Sequence, residues 1–387
     1  MTSTRYLLTF SAVVMLLSAC GSDRNQSAEA TASAAPAADV PFEVTTVTQF
    51  DAPWAMTFLP DRRLLVTEMA GVLKLYDPER NVTGTVSSVP AVFHAGQGGL
   101  SDVVVHPDFA TNRIVYISYA EPGEGGAGAA VARARLALDD HGGGALEDLT
   151  VIWRQVPKKS GDGHFGQRIA FDRDGKLWIS SSERKEFDPA QDLGTNLGKI
   201  VRLNDDGSVP DGNPFADRGG VSAQIWTLGH RNVLGLAFDA QGQLWAHEMG
   251  PMGGDELNRI ERGANYGYPI VSNGDHYDGT VIPDHDTRPE FRAPVISWNP
   301  VISPAGLMFY DGELFPDWKG SAFIGGMSSM SLVRIEFDGD SAREAERFDM
   351  RRRIREVEQG PDDAIWLLED GTRNGEGWLL KLTPLAS

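Results

Sequence analysis

One local pattern recurs along most of the chain and limits what it can become. An apolar strand runs into a polar turn rich in Asp, Gly and Pro, and a second strand with aromatic or β-branched residues follows. Clear copies join Phe58-Leu59-Pro60-Asp61 to Leu64-Leu65-Val66, and His106-Pro107-Asp108 to Ile114-Val115-Tyr116-Ile117. Two more join Phe171-Asp172-Arg173-Asp174-Gly175 to Leu177-Trp178-Ile179, and Phe238-Asp239-Ala240-Gln241-Gly242 to Leu244-Trp245. A looser copy links Phe309-Tyr310-Asp311-Gly312 to Phe323-Ile324-Gly325-Gly326, and the last links Gly360-Pro361-Asp362-Asp363 to Ile365-Trp366-Leu367. Six such units, roughly 48 to 71 residues apart with almost no helical periodicity between them, fit an all-β, six-bladed β-propeller. A single small sheet cannot bury both faces, whereas a ring of sheets buries each against a neighbour and brings loops together at one mouth of a central channel. Periodicity alone also leaves a two-sheet sandwich open.

Charge and cysteine content remove several functions. Asp and Glu total 54 against 35 Lys and Arg, a net charge of −19, which repels phosphate backbones and argues against nucleic acid. The single cysteine, Cys20, excludes an intrachain disulfide framework and a CxxC redox pair. Its position is informative. Arg5 precedes a short apolar run, Tyr6 to Ala19, with the length of a signal-peptide core rather than a bilayer span. The run ends in Leu17-Ser18-Ala19-Cys20, which resembles a bacterial lipobox. Residues 1–19 are therefore expected to be a lipoprotein signal peptide, and 20–40, rich in Ala, Ser and Pro, a lipidated tether with nothing to bury. Residues 41–387 would be the folded domain, exported to the periplasmic side. Gly21, rather than Asp, after the cysteine implies the outer membrane and a membrane contact through the Cys20 lipid alone.

Gly123-Glu124-Gly125-Gly126-Ala127-Gly128 satisfies GxGxxG, but the alternating Val131-Ala132-Arg133-Ala134-Arg135-Leu136 that follows is a strand pattern. It reads as a hairpin loop and not a nicotinamide site. Four other segments combine glycine with chemistry-bearing groups at strand edges. They are Gly96-Gln97-Gly98-Gly99-Leu100, Gly163-His164-Phe165-Gly166-Gln167-Arg168, Gly229-His230-Arg231-Asn232 and the run from Glu248 through Gly254-Asp255-Glu256-Leu257-Asn258. Glycine permits close backbone approach or lends carbonyls to an ion, and His, Arg, Asn and Glu supply proton transfer and charge.

In this order the segments resemble the PQQ-dependent soluble aldose sugar dehydrogenases of the glucose/sorbosone dehydrogenase family, from about Pro53-Trp54 to Val357 and beyond. Asn265-Tyr266-Gly267, Gly198-Lys199-Ile200 and Asp211-Gly212-Asn213-Pro214-Phe215 support it. The resemblance implies His164 as general base, Gln97 as a cofactor contact, and Arg231 with Asn232 lying over the quinone. It implies calcium held by the carbonyls of Gly250 and Pro251, a second calcium site at Glu256 and Tyr266, and cofactor contacts at Tyr277, Arg353 and Arg355. Arginines suit the three PQQ carboxylates, and hard carbonyl oxygens suit Ca²⁺. The anomeric hydroxyl of an aldose would lose its proton to His164 and the product would be a lactone, with electrons leaving to an external acceptor. Two positions depart from the family pattern. Glu183 stands where an aspartate usually orients the base, and Ser328 where a cofactor-binding lysine is often found. These departures leave room for a calcium-dependent lactonase-type propeller hydrolase, or a non-catalytic glycan-binding surface lipoprotein. The chain is expected to be a monomer or homodimer.

Overall fold

The computed structural model describes Met1 and residues 40–372 and 375–385, so the export segment, Cys20 and most of the tether lie outside the described residues. Every one of the recurring sequence units is an antiparallel hairpin. Their strand pairs are Pro53–Phe58 with Leu64–Glu68, Leu100–Val105 with Ile114–Gly123, and Gly166–Phe171 with Leu177–Ser181. Val233–Phe238 pairs with Leu244–Glu248, Pro304–Phe309 with Ala322–Gly326, and Ile354–Gln359 with Ile365–Glu369.

The turn chemistry explains the repetition. Asp172 Oδ1 accepts the amide N–H groups of Asp174 (3.0 Å) and Lys176 (2.8 Å), and its Oδ2 accepts the Trp178 indole N–H at 2.9 Å. Asp239 repeats this with Gln241, Gln243 and Trp245, each at 2.9 Å. Gly175 (φ +71°) and Gly242 (φ +85°) supply the left-handed backbone that closes each turn. One carboxylate thus fixes a turn and anchors the tryptophan that the next strand buries.

Two more strands complete most units. Four sheets have four strands each, and in one of them the N-terminal strand Phe42–Asp51 pairs with the C-terminal strand Glu376–Pro384, so the chain's two ends share a sheet. The first two units join into one eight-stranded sheet, which the repeat did not foretell. The joint is a short parallel pairing of Val86 with Gly144 and Ser87 with Ala145. The GxGxxG segment is the tip of a hairpin in which Gly123 faces Gly126, as its alternating sequence required. The first strand of each unit lies against the first strand of the next, and that of the last against that of the first. Apolar clusters fill the spaces between sheets: Tyr116, Trp153, Ile169 and Val201 in one, Trp245, Leu257, Trp298 and Ile324 in another. Each such aliphatic side chain contributes about 1.5–3 kcal/mol by leaving water. Polar groups at the strand ends away from the Asp-Gly turns are free to serve another purpose.

Candidate active site

His164 precedes the strand Gly166–Phe171, and the returning strand Leu177–Ser181 carries the chain out to Glu183. Pairing of Gly166 with Ser181 sets the two segments side by side, and the Arg184 N–H donates to the His164 carbonyl at 3.2 Å. His164 Nδ1 is hydrogen-bonded to Glu183 Oε1. The His164 backbone N–H donates to Gln97 Oε1 at 2.7 Å, which holds the residue in a left-handed conformation (φ +50°). Burial pushes the imidazole below its ordinary pKa, the Glu183 bond draws it partly back, and the nearby Arg231 charge lowers it further. Burial alone would raise Glu183, but the bonds from His164 and the Phe187 N–H outweigh it and hold the carboxyl low. A neutral imidazole beside an ionised carboxylate carries its proton on Nδ1. Among the described residues Nε2 makes no hydrogen bond, which leaves its lone pair available.

Beside this dyad is a cavity of about 340 Å³, lined by Gln97, Gln167, Asn232, Ser328, Arg353 and Arg355 among others. Among the described residues, both side-chain polar atoms of Asn232, and Nε2 of Gln167, are buried without partners. Buried amides are seldom left unsatisfied, so these residues of the cavity lining suit a ligand with polar groups. The two arginines are tied to one buried carboxylate. Arg353 Nε donates to Asp370 Oδ2 at 2.7 Å and Arg355 Nη2 to Asp370 Oδ1 at 2.8 Å. Burial would raise Asp370, but Arg355 and Arg353 overcome it and bring its pKa down to about 2. Two cations on one anion leave a net positive wall, which suits a carboxylate-bearing ligand.

Arg231 borders a second, much smaller cleft, shared with Gly250, Glu256 and Tyr266, and Met249 lines both spaces. Arg231 Nη1 donates to the carbonyls of Met249 (2.8 Å) and Gly250 (2.7 Å). Two carbonyls therefore converge on one cationic position. A Cβ on Gly250 would lie 2.2 Å from the Gly253 carbonyl oxygen, so only glycine fits there. The Arg231 guanidinium carbon lies 5.9 Å from the ring centres of both Tyr268 and the exposed Tyr277. Pro251 is buried beside Gly250. Glu256 is buried and accepts from Asn258 at 3.1 Å, with His285 Nε2 at 3.3 Å. The Tyr266 hydroxyl donates to the Arg259 carbonyl (2.6 Å) and accepts from the Glu261 N–H (3.0 Å).

A buried histidine bonded to a carboxylate, a cavity with orphaned amides and an arginine pair describe a site that suits an anionic, polar ligand. The glucose/sorbosone dehydrogenase family model matches residues 50–381. The chain belongs to that family. It is 40% identical over 345 residues to the aldose sugar dehydrogenase YliI of Escherichia coli (strain K12), covering 87% of this chain and 91% of that protein. The crystal structure of the soluble aldose sugar dehydrogenase from E. coli in its apo form superposes with a TM-score of 0.83 at 38% identity, over 89% of this chain and 99% of that one. The PQQ-bound aldose sugar dehydrogenase from Streptomyces coelicolor superposes at 0.72 with 27% identity, over 90% and 99%. The family's enzymes are oxidoreductases, and so is this chain.

Within this family frame, three carboxylates to which the sequence assigned no individual role pin the site. Glu248 Oε2 accepts the Arg231 backbone N–H at 2.6 Å, and its Oε1 bonds His230 at 2.9 Å. Asp255 accepts from the Gly250 N–H (2.9 Å) and from Ile302 (2.8 Å) and Ser303 (2.7 Å), and burial raises its pKa to about 6. Asp370 is the third. A signal existed: the second strand of four units ends on, or within two residues of, an acid, namely Glu68, Glu183, Glu248 and Asp370. A carboxylate there reaches a neighbouring loop, as Glu68 also does by accepting the Asp51 N–H at 2.9 Å. Ser328 lines the cavity, and a cation stands beside it, because Arg353 Nη1 donates to the Met327 carbonyl at 3.1 Å.

Proposed function

We propose that this chain is a PQQ- and calcium-dependent aldose sugar dehydrogenase that oxidises the anomeric hydroxyl to a lactone. The observation that carries the reading is the His164–Glu183 pair, with Nε2 unpartnered, beside a cavity holding orphaned amides and two fixed arginines. Arg353, Arg355, Asn232 and Gln97 would hold PQQ, with Tyr277 and Arg231 at its edge. When bound, PQQ would supply the acceptor for the hydride from the anomeric carbon, with the electrons leaving to an external acceptor.

The chain's own residues do the rest. His164 Nε2 takes the proton of the anomeric hydroxyl, and Glu183 stabilises the imidazolium that forms and keeps the ring from turning. Arg231 lies close enough to depress His164, so its guanidinium also steadies negative charge growing on the sugar oxygen. The carbonyls of Gly250 and Pro251 would hold calcium, a hard cation that prefers such oxygens and would supply Lewis-acid polarisation. The convergence of the Met249 and Gly250 carbonyls on the Arg231 cation supports a cation preference there. Glu256 and Tyr266 would serve a second calcium, Tyr266 through its main-chain oxygen because its hydroxyl is already bonded. The eight-stranded sheet reads as two four-stranded blades joined at their edges, which makes six blades in all. Export as a lipoprotein anchored through Cys20 at the outer membrane completes the reading.

Apo protein reconstituted with PQQ and Ca²⁺ should reduce a redox dye when aldoses are added, and should stop when a chelator removes calcium. No turnover with any aldose would refute the dehydrogenase reading. Lactone hydrolysis persisting without PQQ would indicate the hydrolase, and failure to bind PQQ in an absorbance titration would favour the glycan binder. Palmitate that labels a Cys20→Ala variant as well as the wild type would refute the anchor.

A further inference from the structure

The segment after Glu183 stands out for its backbone. Arg184 (φ +61°), Lys185 (φ +59°) and Phe187 (φ +62°, ψ −88°) all have positive φ, although none is glycine. Such conformations are unfavourable for residues with a Cβ and persist only where the surroundings enforce them. Here the enforcement is visible. Arg184 donates from Nε to the Gly163 carbonyl (2.8 Å), from Nη2 to the Gly161 carbonyl (2.8 Å) and from Nη1 to the Ala127 carbonyl, and its guanidinium lies 3.7 Å from the Phe165 ring centre. Glu183 Oε2 accepts the Phe187 N–H at 2.9 Å while Oε1 holds His164. One carboxylate thus grips the catalytic base with one oxygen and the backbone of Phe187 with the other.

What this arrangement holds is an aromatic ring left 43% exposed to water. The Phe187 ring centre lies 5.4 Å from that of His276 and 6.4 Å from that of Tyr268, and Tyr268 and Tyr277 in turn flank the Arg231 guanidinium. Burial cannot explain a strained loop whose large apolar side chain remains partly in solvent. A rigid, half-exposed aromatic face beside a sugar-processing base can pack on the C–H face of a pyranose ring.

Resting on the sugar dehydrogenase reading, we infer that Phe187 is a substrate-contact and specificity-determining residue, a wall for the apolar face of the aldose, and that Glu183 positions wall and base together. The extra methylene that distinguishes glutamate from aspartate gives the carboxylate reach enough to join the two. A shorter side chain would have to release one partner.

The test compares wild type with Phe187→Ala, Phe187→Leu, Phe187→Tyr and Glu183→Asp after reconstitution with PQQ and Ca²⁺, with D-glucose as substrate. Phe187→Ala and Phe187→Leu should raise KM by about tenfold, kcat should fall much less, and Phe187→Tyr should keep the wild-type KM. Glu183→Asp should raise KM as well as lower kcat. Saturation-transfer NMR on the apo protein should show magnetisation reaching glucose C–H protons, and Phe187→Ala should lose it. A KM within twofold of wild type in Phe187→Ala, a leucine as good as phenylalanine, or equal NMR transfer in both proteins would overturn the inference. If wild type itself oxidises no aldose, the dehydrogenase reading fails, and the NMR comparison still decides whether Phe187 touches sugar.

Discussion

The two ends of the sheets are built on opposite principles. At the turn end, hairpins repeat one solution: Asp172 and Asp239 each bond two backbone amides and an indole N–H with nearly the same distances. At the loop end the connections differ from unit to unit, and buried polar residues with left-handed backbone gather there, as at His164, Gln167 and Arg184. Even so, the loop end reuses one device, a carboxylate at or just past a strand end that pins neighbouring groups. Glu183 and Glu248 each hold an imidazole and a backbone amide, and Asp370 two guanidiniums. A repeated scaffold can therefore diversify at one end while the other end stays fixed, because each sheet transmits position through its backbone ladder rather than through the loops.

The sharpest way to break the comparison is at His164. His164→Ala should cost about three orders of magnitude in sugar oxidation by the reconstituted enzyme, within the range of a lost general base, and lower stability by only about 1–3 kcal/mol, the cost of an unpaired Glu183 oxygen. Retention of a tenth of the activity would remove His164 from the chemistry. Trp245→Ala should do the reverse. Its side chain is buried among Leu257, Trp298 and Ile324 and anchored to Asp239, so unfolding free energy should drop by about 3–5 kcal/mol while activity per folded molecule persists. Denaturant titration reads the first quantity and active-site counting the second.

Asp370 tests whether the pinning carboxylates serve function as well as fold. Asp370→Asn should weaken PQQ binding by about tenfold in an absorbance titration, because Arg353 and Arg355 lose their common anchor. Unchanged affinity would make Asp370 structural only. Its folded pKa, about 2, lies below the usual value of 3.8, so the ion pairs stabilise the fold fully above pH 4. That contribution is lost as pH falls toward 2, and the asparagine variant should lack this part of the acid transition. The smallest expected effect is a displacement on the pH axis. His164 must be neutral to accept a proton, and burial lowers its pKa, so the acid limb of kcat/KM should lie below the ordinary imidazole value of 6.5. In Glu183→Gln it should move lower still, since the carboxylate is what draws the pKa upward. An acid limb at or above 6.5 in the wild type would contradict the buried, neutral base.

Much of this was legible in the chain. The Phe-Asp-x-x-Gly-x-Leu-Trp runs foretold hairpins because everything that makes those turns lies within eight residues, from the carboxylate to the indole it bonds. Gln97, Asn232, Arg353 and Arg355 were assigned as cofactor contacts by resemblance, and one cavity brings them together from three separate segments. The anchoring roles of Asp370 and Asp255 were not legible because their partners are distant in sequence or are plain backbone amides, which leave no mark in residue type. The joining of the first two units into one sheet was equally silent, since it depends on a pair of edge strands meeting for two residues.

By itself, then, the sequence determined the all-β architecture, its hairpins and the chemical identity of the candidate site residues, because turn chemistry and residue type are local properties. Only the tertiary structure decided that Glu183 reaches both His164 and Phe187, that one aspartate holds two arginines, and that Asn232 faces the cavity unpartnered. Those facts arise where loops from different sheets converge, and a contact between loops is fixed by how the sheets pack rather than by any short run of residues.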